Sequence, residues 1–142
     1  MTENQLSPSP IMCGHRYRDA PAAIDWLCDV LGFRRHAVYP GPNGTIAHAQ
    51  LTLGSGMIFV ASFRDSESQQ LLAQPGEVGG KETRHVYLQV PDADEVYARV
   101  KRSGAEIVLD IVDQSYGGRG FTCRDPEGHL WNMGTYNPWK NE

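Results

Sequence analysis

Side chains able to do chemistry recur at every second position in several segments of this 142-residue chain. His85, Tyr87 and Gln89 alternate with Val86, Leu88 and Val90, and His48 and Gln50 alternate with Ala47, Ala49 and Leu51. Met12, Gly14 and Arg16 keep the same spacing near the start, as do Leu130, Asn132 and Gly134 near the end. In an extended strand a period of two puts each set on one face. If helices cover the apolar faces, the polar faces line a shared interior with two imidazoles, a guanidinium and several amides. Imidazoles titrate near neutral pH, so His85 and His48 are candidate general bases. Arg16 is a candidate anchor for a carboxylate, phosphate or sulfonate. Pairing with an acidic neighbour at the rim accounts for it equally well. Gln50, Tyr87, Gln89, Asn132 and Met12 complete the candidate ligand-binding set. The structural alternative for either histidine is a hydrogen bond to Asn132 or Gln50 at the edge of a pocket. His15 should face a helix, and His129 and His36 read as structural or exposed.

The elements that must hold these side chains occur twice. Asp19 opens a helical stretch that ends at Gly32, and Asp92 opens another that ends at Gly104. Each aspartate can accept first-turn amide hydrogens, and each glycine supplies a left-handed stop. Ile24, Leu27, Cys28 and Leu31 form one inward stripe, and Ala93, Val96 and Val100 the other. The first helix follows a strand at Ile11 to Tyr17 and precedes strands at Phe33 to Tyr39, Thr45 to Leu53 and Gly56 to Ala61, the last two joined across Gly54-Ser55. The second module repeats this order with strands at Arg84 to Val90, Ala105 to Val112, Gly120 to Arg124 and His129 to Thr135. Asp125-Pro126-Glu127-Gly128 is a strong turn signal before the last strand. The hairpin glycine Gly56 recurs as Gly128, 72 residues later, close to the 73 that separate the two aspartates. A duplicated unit of this length exceeds the roughly 50-residue limit of solenoid repeats, and points to two modules around one interior. The modules span about 11–62 and 85–136 of a single α+β domain. The linker, 63–84, has room for a short helix at Glu67 to Ala73.

Composition excludes several classes. A net charge of -4 offers no basic face for nucleic acid, and the longest apolar run, Met57 to Ala61, is far too short to span a bilayer. Met1 to Pro10 is polar and proline-broken, a loose arm without the apolar segment of a secretory signal. Three cysteines without CxxC spacing argue for free thiols in a cytoplasmic protein. Trp26 and Trp131 read as core, and Trp139 as a cover for a dimer contact or the cavity entrance. Tyr116-Gly117-Gly118-Arg119 reads as a loop at the cavity mouth.

Arg16 to Leu27, followed by Leu31-Gly32-Phe33, resembles the first module of the vicinal oxygen chelate superfamily, which includes glyoxalase I, bleomycin-resistance proteins and extradiol dioxygenases. Arg124-Asp125-Pro126-Glu127-Gly128-His129-Leu130-Trp131 and Gly134-Thr135-Tyr136 resemble the last strand pair of its glyoxalase-like branch. The resemblance implies two βαβββ modules forming paired curved mixed sheets with helices outside and a small-molecule ligand in the concave face. It also implies a homodimer. Metal-dependent members take one ligand from the first and last strands of each module. Carried onto this chain, those positions are Met12, Val60, His85 and Asn132, of which only His85 is a good donor. No family metal or other cofactor is therefore expected, and a divalent site built on His48 with His85 is the disfavoured alternative. Two functions follow. One is a metal-free binding protein for a small, anionic molecule; the other is a glyoxalase-like isomerase or lyase with His85 or His48 as base.

Overall fold

In the computed structural model, which describes residues 5–7, 9–64 and 71–140, the chain divides into two units, Met1–Leu72 and Ala73–Glu142. The first carries β1 (Cys13–Tyr17), α1 (Ala20–Trp26), β2 (Arg34–Pro40), β3 (Ile46–Leu53) and β4 (Gly56–Ser62). The second carries β5 (Tyr87–Gln89), α2 (Ala93–Ser103), β6 (Ile107–Asp113), β7 (Arg119–Arg124) and β8 (Leu130–Gly134). Each unit forms a four-stranded mixed sheet, ordered β1-β4-β3-β2 and β5-β8-β7-β6. In both, the first strand lies parallel to the last and the remaining pairs are antiparallel. The doubled βαβββ order and the α+β class are thus present. The strand expected at Arg84 to Val90 is shorter, so His85 precedes β5 instead of lying within it. The N-terminal arm and the helix expected at Glu67 to Ala73 fall partly on residues 1–4, 8 and 65–70, outside the described residues.

The caps form as their residue types require. Asp19 Oδ1 accepts from Ala22 N–H at 3.2 Å, and Asp92 Oδ1 from Glu95 N–H at 3.1 Å. Gly32 and Gly104 stop the helices in the left-handed region, at φ 93° and 84°. Between α1 and Gly32, Leu27–Leu31 forms a π-helical turn. Such a turn holds one residue more than its α-helical counterpart, which is why the repeat distance falls from 73 at the aspartates to 72 at the glycines. The wider turn also alters the buried stripe: Val30 is buried with Ile24, Leu27 and Leu31, and Cys28 is only half-buried.

Each core lies between a helix and one sheet face. In the first unit, Tyr17, Ala49, Leu51, Ile58 and Val60 are buried together with the α1 stripe. In the second, Leu88, Phe121, Trp131 and Met133 are buried together with Val96 and Val100 of α2. His15 is buried and stacked on Tyr17, and His36 is exposed.

The β7–β8 hairpin is locked by a buried carboxylate. Asp125 Oδ1 accepts from the N–H groups of Glu127 and His129, both at 3.0 Å, and Oδ2 accepts from the Trp131 indole N–H at 3.0 Å. His129 is buried beside it, with Nδ1 3.4 Å from Glu82 Oε1. The expected turn closes as Gly128 N–H donates to Asp125 O at 2.9 Å. This hairpin is one residue longer than its counterpart. Leu53 pairs with Gly56 across two residues, whereas Asp125 N–H bonds His129 O across three.

Candidate functional site

The extra hairpin residue decides which side chains share a face. Gln50 pairs with Phe59 in the first sheet, and Thr122 pairs with Asn132 in the second. Gly14 pairs with Phe59 and Tyr87 with Asn132, so Asn132 corresponds to Phe59 and not to Val60. A slip of one residue moves a side chain to the opposite face of a strand. Val60 accordingly lies on the helix side at 0% exposure, paired with His15. Its placement on the open face, carried over from the matching glycines, is corrected by this register.

On the open face of the second sheet, Thr122 Oγ1 donates to Asn132 Oδ1 at 2.6 Å, and Asn132 Nδ2 donates to Val86 O at 3.1 Å. Both ends of the carboxamide are therefore engaged. The Tyr87 hydroxyl donates to Tyr136 O at 2.7 Å. Burial, together with the neighbouring Tyr116 and Tyr136, pushes its phenol above the usual value. Gln89 turns aside, its amide donating to Val90 O at 3.3 Å. His85, exposed, lines a cavity of about 360 Å³ with Tyr87, Tyr116, Asn132, Tyr136 and Pro138. A hollow of about 510 Å³ shares Tyr87, Tyr116 and Asn132, and extends over Leu109, Asp110, Val112, Gln114 and Thr122.

Two glycines make this arrangement sterically possible. A Cβ on Gly134 would lie 2.8 Å from the Tyr87 hydroxyl oxygen, and one on Gly118 would lie 2.7 Å from Tyr136 N. Gly118 also sits at φ 73°. The loop can thus fold against Thr135-Tyr136, and it brings the Tyr116 ring edge-on to Tyr136 at 5.2 Å and 82°. The loop at Tyr116 to Arg119 is therefore a packed wall of the cavity. Tyr116, Tyr136 and Thr122 are absent from the sequence-derived set. The one sequence signal for them is the pair of glycines following Tyr116, since glycine so often marks close backbone approach.

The first sheet carries a second group. His48 lies 5.0 Å from the Phe59 ring and is stacked on Tyr39 at 6.1 Å, and its Nε2 lies 3.2 Å from Gln50 Nε2. The hydrogen-bonded alternative for His48 is thus the arrangement seen. Arg16 is half-buried between the buried His15 and Tyr17, on the opposite face of β1 by alternation. Met12 is exposed just before β1. His48, Gln50, Arg16 and Met12 belong to the first unit, and His85, Tyr87, Gln89 and Asn132 to the second.

These residues do not fit a divalent metal. A thioether, a phenyl ring, an imidazole and a carboxamide bonded at each end stand at the four positions, whereas strong sites use about three or more imidazole, thiolate or carboxylate ligands. Among the described residues no three His, Cys, Asp or Glu side chains are grouped to hold a metal ion. The three cysteines are free thiols. Burial pushes Cys123 up to about 12 and raises Cys28 as well, which removes both as thiolate nucleophiles at neutral pH. Among the described residues no helix is long and apolar enough to cross a membrane.

A family model described as Glyoxalase/Bleomycin resistance protein/Dioxygenase superfamily matches residues 12–133. An uncharacterised protein of Mycobacterium bovis, Mb0911c, is 30% identical over 119 residues, covering 82% of this chain and 76% of that protein. The crystal structure of TioX from Micromonospora sp. ML1 is similar at 33% identity and a TM-score of 0.70, covering 89% of this chain and 98% of TioX. A point mutant of the fosfomycin resistance protein FosX from Listeria monocytogenes was solved with Mn(II) and 1S,2S-dihydroxypropylphosphonic acid. It superposes with a TM-score of 0.67 over 98% of each chain, and at 15% identity it speaks for the fold alone.

Proposed function

We propose that this chain, which belongs to the glyoxalase/bleomycin resistance protein/dioxygenase superfamily, is a binding protein that holds a small organic molecule on the open face of its second sheet without a divalent metal. The observation that carries this reading is the state of Asn132. The last-strand position where family members place a metal ligand bears a carboxamide, and both of its ends are bonded within the protein, to Thr122 and Val86. Its oxygen, already shared with the Thr122 hydroxyl, is only a neutral donor, and among the described residues no group of three His, Cys, Asp or Glu side chains stands ready to hold a metal. What remains around it is a concave, largely aromatic surface with a few fixed polar groups, the common character of a ligand pocket. In the first unit, the half-buried Arg16 is a candidate anchor for an acidic group.

Elemental analysis of the purified protein, combined with a thermal-shift metabolite screen run with and without EDTA, tests the reading. Expected are less than stoichiometric metal and ligand shifts that EDTA leaves unchanged. One tightly held nickel, zinc or iron per chain, needed for the shifts, overturns it. The free thiols fit a cytoplasmic location, and a homodimer, proposed from the family resemblance, is checked by light scattering.

One observation favours a catalytic alternative: the exposed His85 imidazole shares its cavity with Tyr87. As general base it would make the protein a metal-free isomerase or lyase, with His48 as the corresponding candidate on the first sheet. Incubating the ligands found in the screen with the wild-type protein and with His85→Gln separates the readings, because the catalytic one requires product formation that the variant loses, and the binding one requires that the wild type return the ligand unchanged.

A further inference from the structure

We infer that the ligand of the second-sheet cavity is a planar aromatic molecule, held by ring stacking and not by an ion pair. This rests on the binding reading above and specifies its ligand class. The cavity of about 360 Å³ is lined by His85, Tyr87, Tyr116, Asn132, Tyr136 and Pro138, and none of these is a carboxylate, an ammonium or a guanidinium. Most of its polar groups are engaged: Tyr87 Oη is bonded to Tyr136 O, and Asn132 to Thr122 and Val86. The Asp110 carboxylate of the adjoining hollow is bonded to the Tyr97 hydroxyl and Ile111 N–H, which leaves the exposed His85 imidazole as the open polar group. Ring surface is therefore what the cavity has to offer. Tyr116 is 59% exposed and Tyr87 38% exposed, so aromatic surface stands open to solvent where a ligand would cover it.

The geometry selects among apolar ligands. Tyr116 stands edge-on to Tyr136 at 82°, so the two rings present planes at right angles. A flat guest stacked on one meets the other edge-to-face, and these are the two favourable arrangements for aromatic pairs. A saturated ring of the same size gains the area term from both contacts but not the electrostatic one. A quaternary ammonium is the other guest that aromatic walls accept, usually enclosed by several ring faces. Here one wall turns its edge to the other. The arrangement is also enforced by the backbone, because Gly134 and Gly118 leave no room for a Cβ beside Tyr87 and Tyr136.

Calorimetric titration of the full chain with naphthalene-2-carboxamide, decahydronaphthalene-2-carboxamide and tetraethylammonium tests this. The aromatic amide should bind about tenfold more tightly than its saturated counterpart. Tyr116→Leu, at an exposed position, should reduce that preference to about twofold while the saturated amide changes little, and Tyr116→Phe should keep it. Thermal unfolding checks that both variants fold. Equal affinities, a preference that survives Tyr116→Leu or is lost in Tyr116→Phe, or tightest binding of tetraethylammonium overturns the inference. Binding of the saturated amide alone overturns the aromatic class and leaves the binding reading standing. Binding of none of the three overturns the aromatic class, and a metabolite screen that is also blank overturns both.

Discussion

Replacing Asp125 by asparagine should destabilise the second unit by about 3 kcal/mol, because the carboxylate faces donors on both sides. Its Oδ1 accepts from Glu127 and His129 N–H, and its Oδ2 from the Trp131 indole. An asparagine can turn its oxygen to only one side. With the oxygen kept on the backbone amides, its NH2 opposes the Trp131 N–H, and that ring is 0% exposed, so solvent cannot take over. An orphaned buried donor costs about 1–3 kcal/mol, and weakening two charge-assisted bonds to neutral ones adds about 1 kcal/mol. Relief from burying a charge offsets part of this, which leaves the figure near the middle of the range. For a chain of this size that corresponds to a fall in Tm of roughly 10 °C. Urea denaturation measures the free energy, and the indole N–H resonance of Trp131 reports the bond itself. In a double-mutant cycle with Trp131→Phe, the coupling should be about 1–2 kcal/mol. A loss below about 0.5 kcal/mol, within the range of ordinary surface substitutions, with an unmoved indole resonance would refute the account of the hairpin.

Other outcomes follow from neighbouring features. Burial holds the Cys123 thiol at about 12 against 9.0 for an unburied one. The unfolded chain therefore loses this proton first as pH rises. The stabilisation is full below pH 9 and is lost as pH climbs toward 12, by about 4 kcal/mol in all. Urea midpoints across that window should decline less steeply in Cys123→Ala. Gly134→Ala drives a Cβ to within 2.8 Å of the Tyr87 hydroxyl. It should break the bond to Tyr136, lower stability by about 1–3 kcal/mol and abolish aromatic binding, as read by unfolding and calorimetry. Tyr87→Phe removes only the hydroxyl, so it should cost about 1 kcal/mol in unfolding experiments while ring-dependent binding persists. Arg16→Ala should weaken the thermal shift given by anionic ligands, and an unchanged shift would remove Arg16 from the site.

Much of the fold is legible because its signals are local. Aspartate before and glycine after each helix, and alternation within each strand, are satisfied by hydrogen bonds and packing a few residues away. The candidate site is legible only in part. The faces of His48, Gln50, Tyr87 and Asn132 follow from alternation, since each sits in a strand with a regular pleat. Val60 does not, because aligning Gly56 with Gly128 treats the two hairpins as equal in length. A β-turn glycine marks where a chain turns, and it does not count the residues between the paired strands. The π-helical turn at Leu27–Leu31 is hidden for a similar reason: an extra helical residue changes the backbone hydrogen bonding without leaving a distinctive residue type.

The sequence by itself determined the duplicated βαβββ order, the helix boundaries, the identity of most core residues and the scarcity of metal donors, all of which depend on residue type and short spacing. Only the tertiary structure decided that Tyr87, Tyr116 and Tyr136 form one cavity wall and that each amide end of Asn132 is bonded within the protein, to Thr122 and Val86. Tyr87 and Tyr136 lie 49 residues apart and meet through a side chain-to-backbone bond. Contacts of that kind depend on strand register, a single extra residue in a hairpin, and the space left by glycines on a neighbouring strand. Alternation within one segment carries no information about them.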